Sequence, residues 1–564
     1  MVSFRPEWNQ ARGIQFLRAF SFRGFSFRST VGHAAGALLA MVGTVVCLSG
    51  CATGDSKRLK SAREHFVGFQ AEQAESELVS PKVLEHQESR LQHYLWLASV
   101  SAAQDHCEKA IFYLDRARTL ALELRSDRGG FDWLSTEYKG NPLEFSQIHY
   151  LLVVCDLVLA EQGKSPAWSI PEIRLKGGKV LFPKQEFPAR EFTPREIAEF
   201  RTRARAELKA WDQFLTVLKR TYPGKPFFQD DLLMRVLGSF LNGNASTPED
   251  RRVGELLGFE GQRVLESESS SIGSYQDQRP NLSELLDRLT ERARAPHSNR
   301  EWKLVLIETG VMPEYREKKV VVGLSTLFNG IEDQRLRFEL ERIGLRVLLE
   351  VAPEFGLVAF TGAVAGAATA SEGDSPQSIT GAIDRSFGFE MAFPSIGDPV
   401  KAEPSRLILT SAAGKITEVP LLPVSPVREI LARELAERQK TEWAGKAVKI
   451  GIQYLSILVP AVIAYRDADR KGDWLKKLGI LAGYFLAKKA IDRANAPDLR
   501  SWSLLPSGIA GQLLDVDAGI YSVELVTEGV GVGPKRISLG QWDLGPKGRT
   551  FIHKRVFDSR ASGL

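Results

Sequence analysis

The chain has 564 residues, 43% of them hydrophobic and 25% charged, with a formal net charge of +5 and four cysteines. That length suffices for two or three domains with a sizeable core. Five arginines against one glutamate stand in the first thirty residues, so the remainder is nearly neutral and lacks the strongly basic domain that nucleic-acid binding asks for.

The leader comes first in chain order. After Arg5, Arg12, Arg18, Arg23 and Arg28, the stretch Val31 to Gly50 carries no Lys, Arg, Asp or Glu and is rich in Ala, Val, Leu and Gly. A basic segment, an apolar core and small residues make the layout of a secretory signal; about twenty such residues are also long enough to span a bilayer. Leu48-Ser49-Gly50-Cys51 resembles the lipobox of bacterial lipoproteins. That resemblance implies signal cleavage between Gly50 and Cys51, and lipidation of Cys51 by diacylglyceryl and palmitate-like acyl chains. Two or more chains hold a protein stably where one does so only marginally. Ala52 is not the aspartate that retains enteric lipoproteins in the inner membrane, which implies an outer-membrane location facing the periplasm. An ordinary signal containing a cysteine and an Arg-rich, Ser-rich organelle transit peptide are the rival readings, and the second does not end in an uncharged core and a lipobox.

Residues 57 to about 270 read as helical. Leu91 to Leu122 has a tetratricopeptide-like arrangement of Tyr94, Leu97, Ala98, Ala110, Leu114 and Ala117, with large and small residues at offsets that interlock two antiparallel helices. Ala62 to Leu78, with Phe66, Gly68 and Ala74, reads as a helix of a neighbouring unit, and a generic helical bundle is the competing account. A Gly- and Pro-containing interval at 127–142 interrupts the helices. Leu143 to Gln162 is a largely apolar helix, and a loop with Pro166, Pro171, Pro183 and Pro188 follows. Thr193-Pro194-Arg195-Glu196 marks a capped helix start running to about Lys219, and a further helix spans Asp230 to about Leu241.

Near residue 300 the pattern changes to short strands separated by Gly, Pro and Ser: Lys303–Glu308, Lys319–Gly323, Phe387–Phe393, Leu407–Thr410 and Ile416–Leu422. Val427 to about Lys449 is a charged amphipathic helix. Uncharged Ile450 to Tyr465, a polar turn at 466–473 and apolar Leu478–Ala487 then suggest a helical hairpin. Strands resume at Gly511–Val516, Ile520–Thr527, Arg536–Leu539 and Thr550–Val556. The expected fold class is α+β: a signal peptide at 1–50, a helical TPR-like domain at 51–300, and a β-rich domain at 301–564 with an apolar hairpin inserted at about 446–490.

Several short pieces resemble an uncharacterised family of Gram-negative, periplasm-facing lipoproteins with repeat-like N-terminal helices. They are Asp230-Asp231-Leu232-Leu233 with Gly238, Glu308-Thr309-Gly310-Val311-Met312-Pro313, and Asp498-Leu499-Arg500-Ser501-Trp502 with Leu505-Pro506, followed by Ala518-Gly519-Ile520-Tyr521. The resemblance implies an accessory role in envelope assembly and supplies no catalytic residues. A Gly/Ala-rich stretch at Thr361–Ser375 departs from it.

Chemistry-bearing patterns are sparse. Among the histidines, His86 and His93 are seven apart, and no acid stands at a metalloprotease spacing, so no metal or cofactor is expected. Gly163-Lys164-Ser165 lacks the first glycine of a phosphate loop, Val158 standing there, and reads as a helix stop. Gly529-Val530-Gly531-Val532-Gly533 joins two strands and opens no helix that would meet a phosphate. Asp230 and Asp231 suit a helix N-terminus better than a hydrolytic pair. With Cys47 in the leader and Cys51 lipidated, Cys107 and Cys155 remain; an oxidising compartment would allow them to pair as a disulfide, and the alternative is that they are small buried hydrophobes. The uncharged stretch Phe355–Ser371 carries no functional assignment. The expected function is a membrane-anchored, non-enzymatic scaffold binding an envelope protein partner, with no nucleic-acid role. A cell-wall or envelope hydrolase using scattered acids, and a lipid-binding protein using the 450–487 hairpin, are the alternatives.

Overall fold

One apolar helix organises the molecule. In the computed structural model Pro142–Gln162 (α5 below) starts at a capping box: Asn141 Oδ1 accepts from the Glu144 backbone N–H at 2.8 Å, and Glu144 Oε2 accepts from the Asn141 N–H at 2.8 Å. Pro142 occupies the first turn, and Gly163, at φ 65°, ends the helix in the left-handed conformation, the common glycine stop. This helix has the length and composition to cross a membrane, yet its 18-residue apolar window is wholly buried in protein. It is the central core helix.

The structure describes residues 53–80, 89–126, 138–175, 178–221, 228, 230–268, 271–295, 302–322, 389–397, 401, 405–528, 534–545 and 548–557. The leader with Gly50 and Cys51, His86, the 355–371 stretch and the 529–533 glycine loop lie outside them.

Around α5 the N-terminal half is helical. Before it come α1 (Thr53–Val67), α2 (Ala71–Leu78), α3 (Arg90–Ala103) and α4 (Cys107–Ser126); after it come α6 (Pro194–Thr221), α7 (Leu232–Gly243), α8 (Pro248–Glu268) and α9 (Gly273–Arg294). The α6 start carries the expected box, the Thr193 hydroxyl and the Glu196 carboxylate each receiving the other's backbone N–H. Asp231 caps α7 by accepting from Leu233 N–H at 3.1 Å.

The loop expected at 163–192 is a β arm instead. β1 (Lys164–Ser165), β2 (Trp168–Ile170) and β3 (Ile173–Arg174) run out, and β4 (Val180–Phe182), β5 (Gln185–Phe187) and β6 (Arg190–Glu191) return antiparallel to them. The prolines stand between these short ladders, where no strand hydrogen bond is forfeited.

The C-terminal half is strand-rich. Seven strands form one sheet in the order β14-β13-β10-β11-β12-β7-β15, made of β7 (Lys303–Thr309), β10 (Ser405–Ser411), β11 (Ile416–Ser425), β12 (Gly508–Leu514), β13 (Ile520–Thr527), β14 (Lys535–Asp543) and β15 (Phe551–Val556). β8 (Arg316–Val322) and β9 (Phe389–Ser395) form a separate antiparallel pair. Neighbours in the large sheet are antiparallel except β15, which lies parallel to β7.

The two-residue alternation of strands sorts this sheet between two cores. Leu304 and Leu306 of β7 join the large core shared with the helices, whereas Val305 and Ile307 join a smaller one with Leu407, Leu409, Val523 and Leu525. The large core takes residues from both sides of position 300, from Phe66 and Leu151 to Trp502 and Phe551, so the change in secondary structure there is no break in packing.

Between β11 and β12 run α10 (Val427–Arg470) and α11 (Trp474–Ala494). The expected break near residue 450 is absent: α10 continues through Pro460 to Arg470, and the turn is the three residues 471–473. Residues 457–491 form a unit apart from 53–456 and 492–564. Within that unit the two helices meet at their turn, Lys477 lying 5.4 Å from the Tyr465 ring centroid and Lys476 3.9 Å from Asp467.

Candidate functional site

A groove of about 530 Å³ opens where the β arm lies over α3 and α4. The arm is held there by its apolar residues: Ile170 and Ile173 are buried, and Trp168 stacks on its cross-strand neighbour Phe187 at 3.9 Å between ring centroids. The arm's base is fastened by ion pairs from Arg190 to Glu108 (2.5 Å) and to Glu196 (3.1 Å). Phe182, on the returning strand, packs against Tyr94 at 6.0 Å, Phe112 at 5.9 Å and Tyr113 at 6.4 Å, giving the groove an aromatic floor.

Two guanidinium groups border that floor. The Arg116 carbon Cζ lies 3.3 Å from the Phe112 ring centroid and Nη1 donates to the Phe112 carbonyl at 3.0 Å. Burial lowers the Arg116 pKa, with Tyr94, Tyr113 and Asp115 pulling it back up, and the group stays cationic. Arg90 begins α3, and its buried Nε makes no hydrogen bond. The same burial raises the Tyr94 pKa, which Arg90 and Arg116 partly offset. Asp115 also lines the groove, but its carboxylate accepts from Arg118 at 2.9 Å. Flat rings beside cations suit stacking and carboxylate recognition.

Several other perturbed groups hold the interior together. Glu144, 3% exposed, accepts from Trp502 N–H at 2.7 Å, the Tyr138 hydroxyl at 2.7 Å and Asn141 N–H; burial pushes its pKa up to about 7 although these donors pull it down. Around it, Gln92 and Trp96 donate to the Ser501 carbonyl, and the Trp502 indole donates to Ser99 Oγ at 2.7 Å. Glu308 receives the Tyr150 hydroxyl at 2.9 Å and lies 2.9 Å from His553 Nε2 and 3.6 Å from Arg555. Burial would raise its pKa, but His553 and Arg555 together hold it below the usual range. These contacts join the helices to the sheet.

The residues singled out by sequence scatter among structural roles. Asp231 is a helix cap whose other oxygen receives Ser146 Oγ at 3.2 Å, and Asp230 pairs with Arg235 at 3.0 Å and Lys219 at 3.2 Å. Gly163 stops α5, and Lys164 and Ser165 open the arm. His93 is fully buried. Cys107 and Cys155 are buried free thiols, and hydrogen bonding with Cys107, which favours the protonated Cys155 thiol, raises the Cys155 pKa ahead of burial. No cluster of three or more metal-ligating side chains occurs among the described residues.

Sequence reasoning passed over Arg90, Phe112, Arg116 and Phe182. The alternation Trp168, Ile170 and then Leu181, Phe182 between prolines was the available signal for the arm. No family model matches the chain, and neither the curated proteins nor the solved structures contain a match.

Proposed function

We propose that this chain is a bacterial lipoprotein, anchored through Cys51, whose helical half binds a protein partner in the cell envelope as a non-enzymatic scaffold. In this reading α1–α2 and α3–α4 are degenerate TPR-like pairs, close-packed over the buried Ala62, Ala74, Ala98, Ala110 and Ala117. The observation that carries the proposal is the groove between the β arm and α3–α4, with its aromatic floor and the guanidinium groups of Arg90 and Arg116. A partner segment bearing a carboxylate and a planar or aliphatic side chain complements that lining, and aromatic and arginine residues are the ones that dominate binding energy at protein interfaces. The perturbed acids Glu144, Glu308 and Asp231 serve internal contacts, which favours binding over hydrolysis.

A photo-crosslinking residue at Gln185, in cells, tests the partner. The expected result is a discrete adduct that disappears in an Arg116→Glu variant whose folding is unchanged. An adduct indifferent to Arg116 overturns the groove as the binding site. The intact mass of membrane-extracted protein, compared with a Cys51→Ala variant, tests the anchor: residues 51–564 plus acyl chains are expected, and an unmodified mass removes the lipoprotein reading.

A further inference from the structure

On α11 apolar residues face outward. Leu475, Gly479, Ala482 and Leu486 are all exposed and fall four, three and four residues apart, so they share one face. Leu475 is 65% exposed, Leu486 56%, and Trp474 beside them 64%. An ideal Cβ built on Gly479 or Gly483 meets nothing within 4 Å. A helix of a soluble domain puts its apolar stripe on the core and its charges outward; here an apolar stripe is outward, with lysine pairs along the helix at Lys476-Lys477 and Lys488-Lys489.

Charge decides what such a face meets. Residues 466–491 hold seven Lys and Arg against three Asp, a net +4 in a chain whose total is +5. Two copies of the hairpin would bring like charges together around the stripe, which opposes self-association. An anionic bilayer complements the same surface: apolar residues enter the acyl boundary, the tryptophan sits at headgroup level, and lysines reach back to phosphates. The uncharged part of α11, Leu478–Ala487, is ten residues long, far short of the roughly 20 needed to span, so the helix lies along the surface.

We propose that the α10–α11 hairpin is a second membrane contact, laying the Trp474–Lys489 face of α11 on anionic phospholipid. This contact is separate from the Cys51 anchor and does not require it.

The test is peptide-resolved hydrogen exchange on the full chain, purified from membranes and reconstituted in vesicles of phosphatidylglycerol with phosphatidylcholine, in phosphatidylcholine alone, and in detergent micelles. Amides of 474–489 should exchange about tenfold more slowly in the anionic vesicles than in the zwitterionic ones. Leu475→Glu with Leu486→Glu, and separately Lys488→Glu with Lys489→Glu, should each abolish that difference while leaving exchange in micelles unchanged, which shows that the helix still forms. Equal exchange in the two vesicle types overturns the proposal. Protection that grows with protein concentration, whatever the lipid, assigns the face to a second copy instead. The Cys51→Ala chain, added to the same vesicles, should show the same local protection, so failure of the anchor and failure of the hairpin contact are read separately.

Discussion

Replacing Glu144 probes the joint between the two halves of the fold. Glu144→Ala would leave Trp502 N–H, the Tyr138 hydroxyl and Asn141 N–H without their acceptor in a buried site. An unpaired buried donor costs about 1–3 kcal/mol, and three neutral donors are orphaned at once, partly relieved by water entering the space the side chain leaves. The loss should therefore be about 3–5 kcal/mol. Glu144→Gln separates charge from shape. The carboxyl has an ordinary pKa of 4.5 and is pushed by burial to about 7 in the fold. Between those values the folded chain keeps a proton that the unfolded chain has lost, so stability falls as pH rises, by about 1.4 kcal/mol per unit. Across the window the Gln variant should gain about 3 kcal/mol relative to the parent. Urea unfolding followed by tryptophan fluorescence at several pH values between 4.5 and 8 measures this, since Trp96 and Trp502 lie at the joint. A parent-to-Gln difference that does not change with pH, or changes in the opposite sense, would refute the reasoning. It would mean that the three donors outweigh burial and keep Glu144 ionised throughout.

Three further outcomes are expected. A Cβ on Gly254 would stand 2.6 Å from the Gly243 backbone nitrogen, and one on Gly258 would stand 2.2 Å from Thr290 Oγ1. Gly254→Ala and Gly258→Ala should each destabilise by about 1–3 kcal/mol, and adding Thr290→Ala should restore stability only to the second, as thermal melts will show. Glu207 lies 2.6 Å from His149 Nδ1 and 2.7 Å from Arg118; burial raises its pKa, but these partners bring it below the usual carboxylate value. Glu207→Gln should then cost about 1–3 kcal/mol near pH 7, with the difference from the parent fading as pH falls through the depressed pKa. Cys155 is 1% exposed and its pKa is raised, so thiol titration should find it inert to alkylation in the native chain and reactive in denaturant. Fast native labelling would contradict the burial.

Local chemistry made much of the fold legible. Ile520–Thr527 is legible as a strand with its observed bounds because Tyr521, Val523 and Leu525 alternate with outward residues. Thr193-Pro194 with Glu196 marked a helix start from three residues alone. What stayed hidden was non-local. Nothing in Phe551–Val556 says that it pairs parallel with β7, some 250 residues earlier. The groove draws Arg90 and Arg116 from one helix pair and Phe182 from the arm, and the short ladders of the arm fall below the length at which periodicity tells strand from loop. The continuous α10 was missed because Pro460 and a change of polarity near 450 suggest an end, whereas the helix runs through both.

The parallel pairing of β15 with β7 bears on the order in which the chain matures. The final strand supplies Phe551 to the large core and Ile552 to the small one, and just beyond it Phe557 meets Phe66 of α1 ring-to-ring at 4.9 Å. Neither core is therefore complete until residues 551–557 have emerged from synthesis. Closing a loop of that size is slow compared with pairing neighbours, so a growing or threading chain passes a long interval with its helices formed and their shared apolar surface uncovered. Such a chain is open to chaperones for most of its synthesis. Removing Phe557 should be felt about 490 residues away, at Phe66 in α1.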